Sequence, residues 1–159
     1  MVPPANCFTV LVVDDMLPNR VLLSKVLKGA GYGVLEAVDG LEALALLKDP
    51  RRPVDLVVTD IEMPGMDGIA FVDQLRALDA PVAKVPVIAA SGNADDEMRD
   101  DAMDAGCDVF LTKPFDLAVL RREIGALLRA SRQAVAVRET APAGLKAPNR
   151  IQSPVRELK

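Results

Sequence analysis

Five polar side chains stand where short apolar runs end. Asp14 and Asp15 follow Thr9 to Val13, Asp60 follows Val54 to Thr59, Ser91 follows Pro86 to Ala90, and Lys113, with Pro114 behind it, follows Asp108 to Thr112. Carboxylates are ligands for a hard cation and can act as nucleophiles, while a hydroxyl and an ammonium can stabilise negative charge. The set carries chemistry only if a fold gathers it.

The runs indicate how that happens. Each is β-branched or aliphatic and lacks polar alternation, the pattern of a strand buried on both faces of a parallel sheet. In open parallel sheets ligands bind in the crevice beyond the carboxyl ends of the strands, so four such ends describe one site. Between the runs lie segments with helical spacing, and the β-α alternation predicts a parallel sheet flanked by helices. A first helix opens at Pro18-Asn19-Arg20, presents Leu22, Leu23, Val26, Leu27 and Ala30, and stops at Gly29-Ala30-Gly31. A further strand runs from Tyr32 to Ala37. Asp39 caps a second helix carrying Leu41, Leu44, Leu46 and Leu47, which Pro50 ends. A third helix follows Gly68 and shows Ile69, Phe71, Val72, Leu75 and Leu78. The fourth, Asp95 to Ala105, is the most acidic, and its charges read as a solvated face. The fifth, Asp116 to about Arg129, repeats Leu117, Leu120, Ile124, Leu127 and Leu128, with Asp first and Arg last as the helix dipole favours.

Half of the 159 residues are apolar, enough for one core, with a domain at 1–130 and an extension at 131–159. Residues 1–130 carry 13 basic and 21 acidic side chains and 131–159 carry 6 and 2, so the body would repel a phosphate backbone. Aromatics at 3% do not make a stacking platform for single-stranded nucleic acid. Three prolines and scattered bases read 131–159 as a flexible basic tail. Histidine is absent, which excludes a serine triad, a histidine general base, an imidazole zinc site and a phosphate carried on histidine within this chain. Cys7 and Cys107 have neither framework nor metal-ligand spacing and read as reduced thiols of a cytoplasmic protein. No apolar stretch approaches a membrane span, and the first residues lack a signal peptide's basic region.

Four segments, in order and at their spacing, resemble the receiver domain of bacterial two-component response regulators over roughly residues 8 to 130. They are Val12-Val13-Asp14-Asp15, Asp60-Ile61-Glu62-Met63-Pro64-Gly65-Met66-Asp67-Gly68, Ala90-Ser91-Gly92 and Lys113-Pro114-Phe115. The resemblance implies an α/β fold, a doubly wound flavodoxin-like (βα)5 sandwich whose five-stranded parallel sheet has the order 2-1-3-4-5. It implies Mg2+ as cofactor, coordinated by Asp15, Asp60 and the main-chain carbonyl of Glu62, with Asp14 holding a metal-bound water. Asp60 would be the nucleophile that becomes an aspartyl phosphate, Lys113 and Ser91 would contact the phosphoryl oxygens, and the Lys113–Pro114 peptide would be cis. On phosphorylation Ser91 would move toward the phosphoryl group and Phe110 would turn inward, remodelling the face of the fourth helix, fifth strand and fifth helix. Phe110 stands where the family more commonly has Tyr, so this chain has no hydroxyl at that position. Glu62 stands where the family has a smaller or neutral side chain, and a carboxylate on the path of hydrolytic water is expected to change the phosphate's lifetime.

The function so implied is a single-domain response regulator, a regulatory phosphoacceptor that assists its own phosphorylation and dephosphorylation rather than a metabolic enzyme. Its donor would be a sensor histidine kinase or a histidine phosphotransfer protein, and its output a downstream protein or a phosphorylation-dependent homodimer. Neither a nucleic-acid-binding domain nor a membrane enters this reading. A receiver that passes phosphate onward, or one tied to a hybrid sensor kinase, is a close variant. Two other classes stay open. A phosphatase of the haloacid dehalogenase type also forms an aspartyl phosphate, but it places nucleophile and acid two residues apart on the first strand, where this chain has adjacent Asp14 and Asp15. A receiver-like module that binds partners without phosphate has no evident need of all five site residues.

Overall fold

The structure, a computed structural model, describes residues 8–93 and 95–140, with side chains to residue 132. Five strands, β1 (Thr9–Val13), β2 (Gly33–Ala37), β3 (Leu56–Asp60), β4 (Val87–Ser91) and β5 (Val109–Thr112), alternate with five α-helices. These are α1 (Leu17–Gly29), α2 (Gly40–Lys48), α3 (Gly68–Arg76), α4 (Asp96–Ala105) and α5 (Leu117–Thr140). The strands form one parallel sheet in the order β2-β1-β3-β4-β5, the doubly wound architecture that the resemblance implies.

Successive side chains of a strand point to opposite faces, and here both faces are covered. Val10, Val12, Leu56, Val58 and Ile88 pack with Leu27 of α1 and with Leu120, Ile124 and Leu128 of α5. Their neighbours Leu11, Val13, Val57, Val87 and Ala89 pack on the other face with Leu44 and Leu47 of α2, Phe71 and Leu75 of α3, and Ala102 of α4. The apolar runs lack alternation because neither face meets water. Four helices begin at an aspartate that caps them: Asp39 accepts from Glu42 N at 2.8 Å, Asp67 from Ala70 N at 2.8 Å, Asp95 from Glu97 N at 3.0 Å and Asp116 from Ala118 N at 2.8 Å.

Several boundaries and faces differ from the sequence reading. Asp60 and Ser91 are themselves the last residues of β3 and β4, and β2 begins at Gly33. Leu22 and Leu41, expected on buried faces, are exposed, as is Ala30. Each lies at the margin of an apolar stripe whose centre, Leu27 or Leu44, is buried. A single 3-10 turn, Val82–Lys84, precedes β4. The fifth helix passes Arg129 and continues to Thr140, into the stretch read as a tail. Ala130 to Thr140 contains neither Gly nor Pro, so nothing in the chain interrupts helical hydrogen bonding there, although the apolar repeat has ended. The rest of that stretch, 141–159, and Cys7 lie outside the described residues. Cys107 is a buried free thiol, and burial pushes it up to about 12, so it stays protonated and unreactive.

The end of the sheet opposite the carboxylates is tied by one guanidinium. Arg76, at the end of α3, donates to the carbonyls of Gly106 at 2.8 and 3.1 Å, Ala83 at 2.9 Å and Val85 at 2.6 Å, and to Asp108 Oδ2 at 3.1 Å. Asp108 Oδ2 also accepts from Val87 N at 2.8 Å, which fixes the start of β4 against the start of β5. Gly106 stops α4 at a φ of +121°, and a Cβ there would lie 2.9 Å from the Arg76 side chain. Removing the guanidinium leaves several carbonyls without this donor and the Asp108 carboxylate with Val87 N but no ion-pair partner in Arg76. Arg76→Gln should therefore cost about 2–4 kcal/mol of stability. Urea unfolding of the full chain measures this, and a loss below about 0.5 kcal/mol, the level of an ordinary surface change, would refute the clamp.

Candidate functional site

Strand register gathers the polar ends. Val13 pairs with Thr59, so Asp14 stands level with Asp60, whose own partner is Ala90. Ser91 follows Ala90 and pairs with Thr112, and Lys113 follows Thr112. The Lys113 N–H donates to the Ser91 carbonyl at 2.8 Å, which extends the β4–β5 ladder to the lysine itself. The Lys113–Pro114 peptide is cis.

Asp14, Asp15 and Asp60 each offer a carboxylate oxygen within 4.8 Å of the others. Asp14 and Asp60 are buried, and Asp15 is the most accessible of the three. Lys113 Nζ lies 3.2 Å from Asp60 Oδ1 and 3.8 Å from Asp14 Oδ2. The nearer contact is an ion pair without hydrogen-bond alignment, so Asp60 Oδ1 is buried with charge compensation but no hydrogen bond. Burial pushes Asp60 up to about 6 against the opposing pull of Lys113, with Asp14 and Glu62 adding to the rise. Three hard oxygens at this spacing, one of them unsatisfied, fit a divalent cation of the Mg2+ kind.

Asp14 is held by its own loop, accepting from Met16 N at 2.8 Å, while Arg20 donates to the Asp14 carbonyl at 2.8 Å and pairs with Glu36 at 3.4 Å. Behind Asp60, α3 starts very close to the strand. Gly68 N donates to the Ile61 carbonyl at 2.8 Å, and a Cβ on Gly68 would collide with the backbone of Asp60 and Ile61. Only glycine allows that approach, which is why the Asp67-Gly68 pair sits where it does.

The Glu62 carboxylate is not part of the acidic cluster. It accepts from the Ser91 hydroxyl and from Gly92 N, the latter at 3.4 Å. Its burial raises its pKa, but these bonds and neighbouring backbone N–H groups outweigh that and hold the carboxyl below its usual range. Phe110, expected to turn inward on phosphorylation, already lies inward here, buried on β5 with the Arg99 guanidinium of α4 5.8 Å from its ring centroid. The structure thus groups Asp14, Asp15, Asp60 and Lys113, sets Ser91 against Glu62, and places Phe110 beneath α4. Arg20, Gly68 and the Glu62–Ser91 contact were not singled out from sequence, and only the Asp67-Gly68 pair offered a signal. The cleft lined by Phe8, Tyr32, Gly125, Leu128, Arg129 and Arg132 lies at the amino ends of the strands, away from all of these.

Because the folded pKa of Asp60 exceeds the ordinary carboxylate value of 3.8, its charge opposes folding above about pH 6, and the penalty is relieved as pH falls through 6 toward 3.8. In a chelating buffer at neutral pH, Asp60→Asn should raise Tm by on the order of 5 °C. Thermal melts should show that gain shrinking as pH falls below 6. A gain that stays constant with pH would mean that the Asp60 charge is not its source.

A family model, described as the response regulator receiver domain, matches residues 10–125. The chain is 43% identical over 120 residues to the transcriptional regulatory protein PrrA of Mycobacterium bovis, covering 76% of this chain and 49% of that protein. It therefore spans about half the length of the curated relatives it first matches. It is 34% identical over 112 residues to sporulation initiation phosphotransferase F of Bacillus subtilis, covering 70% of this chain and 86% of that one. Sensor histidine kinases are also among its relatives. The crystallised chemotaxis protein CheY4 of Vibrio cholerae superposes with a TM-score of 0.68 at 31% identity, over 76% of this chain and 98% of that one. Since the matched span takes in the carboxyl ends of all five strands, the chain belongs to the response regulator receiver domain family.

Proposed function

We propose that this receiver accepts a phosphoryl group on Asp60 from a partner's phosphohistidine and, so modified, changes how it binds a target protein. The observation that carries this reading is the state of Asp60 Oδ1, a buried carboxylate oxygen with an ammonium at 3.2 Å and no hydrogen bond. Such an oxygen is restrained and desolvated yet uncommitted, as a nucleophile must be. At about 6 its pKa still leaves Asp60 ionised at neutral pH.

In the transfer, an Asp60 oxygen bonds to phosphorus as the bond from phosphorus to the donor imidazole nitrogen breaks, and that nitrogen leaves with the electron pair. The step needs alignment and charge neutralisation more than covalent help. Lys113, already against Asp60, follows the charge onto a phosphoryl oxygen, and the Ser91 hydroxyl donates to another. Asp15 and Asp60, with Asp14 beside them, would hold Mg2+, which supplies further charge neutralisation and relieves the repulsion among the carboxylates. The main-chain carbonyl of Glu62 is the remaining protein ligand in this reading.

The donor is a sensor histidine kinase or histidine phosphotransfer protein, since these residues include no histidine. Met16, Leu17, Val21, Leu22, Val38 and Leu41, the exposed large hydrophobics among the described residues, all follow β1 or β2, the two strands at one edge of the sheet, with α1 and α2 on its opposite faces. A donor protein reaching Asp60 over that edge would cover them. Output runs through α4, β5 and α5, with 1–130 as the receiver unit and 131–159 as an extension. That relatives of greater length carry this unit favours a second arrangement, in which it serves within a longer regulator or kinase.

Intact mass after incubation with a small acyl phosphate tests the reading. One phosphoryl adduct is expected, dependent on Mg2+ and absent from Asp60→Asn, and Lys113→Ala should slow its formation at least about tenfold. With donor reactivity controlled, no adduct on the native chain even with its cognate kinase would leave a phosphate-independent binding module. Multiple turnover on simple phosphate esters would instead indicate a phosphatase.

A further inference from the structure

We propose that Glu62 is a positioning residue that holds Ser91 away from the phosphoryl site, so that a phosphoryl group on Asp60 must take the serine hydroxyl from Glu62. The proposal rests on the reading of Asp60 as phosphoacceptor. Ser91 is fully buried at the end of β4, and its hydroxyl has one proton to give. That proton goes to Glu62 Oε1. The other carboxylate oxygen of Glu62 accepts from Gly92 N at 3.4 Å, so a single side chain engages two consecutive donors of the β4–α4 loop. A phosphoryl oxygen and the Glu62 carboxylate are both anionic acceptors, and each would make a charge-assisted bond with Ser91. They compete, and whatever the Glu62 bond contributes to the unmodified state is lost when the phosphoryl group recruits the serine.

The competition reaches beyond the site because Ser91 is also an acceptor. Its Oγ takes a hydrogen bond from Asn93 N at 3.0 Å. The Asn93 side chain in turn accepts from Asp95 N at 3.0 Å, and the Asp95 side chain caps α4 through Glu97 N at 3.0 Å. A continuous series of bonds therefore runs from Glu62 on the β3–α3 loop to the first turn of α4. Turning the Ser91 oxygen toward Asp60 withdraws the acceptor from Asn93 N and loosens that series at its root. Phe110 is already buried, with Arg99 of the same helix above it, so the element with somewhere to go is the serine and its loop.

The test is a double-mutant cycle on the full chain with beryllofluoride and Mg2+ as the phosphoryl mimic. Native chain, Glu62→Ala, Ser91→Ala and the double variant are titrated while the amides of Gly92, Asn93 and Glu97 are followed by NMR. Glu62 is largely solvent-exposed, so its truncation leaves the core untouched. Glu62→Ala should lower the half-saturating beryllofluoride concentration at least about fivefold in the native background and leave it unchanged within about twofold in the Ser91→Ala background. In the mimic-free Glu62→Ala chain the Gly92 and Asn93 resonances should already be displaced toward their bound positions. Equal tightening in both backgrounds would reduce Glu62 to a repelling charge and overturn the proposal, as would no tightening at all. If the native chain bound the mimic in neither an Mg2+-dependent nor an Asp60-dependent way, the phosphoacceptor reading would fall with it. Binding without coupling would remove the Glu62 proposal alone.

Discussion

Three carboxylates forced together at the ends of two adjacent strands are the constraint around which this molecule is arranged. With oxygens within 4.8 Å of one another, each ionised pair among Asp14, Asp15 and Asp60 repels by about 3–4 kcal/mol at an effective dielectric near 20. The strand order creates that opposition, because β1 and β3 are neighbours only when a crossover has placed β2 on the far side of β1. Lys113 offsets part of it from the end of β5, two strands away from β3, and so depends on β4 lying between them in register. The upward displacement of Asp60, caused first by its burial and only in smaller part by Asp14 and Glu62, is a local cost that the two apolar layers of the fold must carry.

Those layers also explain why the sheet was readable. A strand covered on both faces has to be apolar at every position, so Thr9 to Val13 stands out in the sequence and its limits coincide with β1. The strand termini are visible only to within a residue or two, since Asp60 and Ser91, read as following their strands, are the buried last residues of β3 and β4. The helices were legible by their caps and by the centres of their stripes, but not by their margins. Leu22 and Leu41 fit a helical repeat as well as Leu27 and Leu44 do, and only the position of the neighbouring element decides which are covered. The continuation of α5 past Arg129 was hidden for a different reason. Its apolar repeat ends there, while the absence of helix breakers, a weaker signal, persists to Thr140.

Within the site, sequence order and spacing identified the residues, and strand register brings the Asp14, Asp15, Asp60 and Lys113 side chains together. What no spacing could show is how partners are chosen among them. Glu62 lies two residues after Asp60, and the resemblance assigned its main-chain carbonyl to the metal and its carboxylate to the path of hydrolytic water. In space its side chain turns to Ser91 and Gly92, 29 and 30 positions away. Phe110 carries the same lesson. Its place three residues before Lys113 marks it in the sequence, but its inward orientation depends on Arg99 of α4 and on the cluster beneath.

The two ends of the sheet are built for opposite purposes. At the amino ends, Arg76 joins α3, the turn before β4, and the junction of α4 with β5 through one planar guanidinium, whose fixed geometry leaves these elements little freedom relative to one another. At the carboxyl ends, the β4–α4 loop is tied by a series of single hydrogen bonds, each through a different side chain. On the proposed reading, a charge placed on Asp60 would be felt by a loop that one lost bond can release, while the other end of α4 is anchored beside Gly106. A helix fixed at its C-terminus and loosened at its N-terminus would pivot instead of translating. The largest displacement would then fall on the first turn of α4, where Asp96 and Glu97 are exposed, and a local change of charge would become a change of surface.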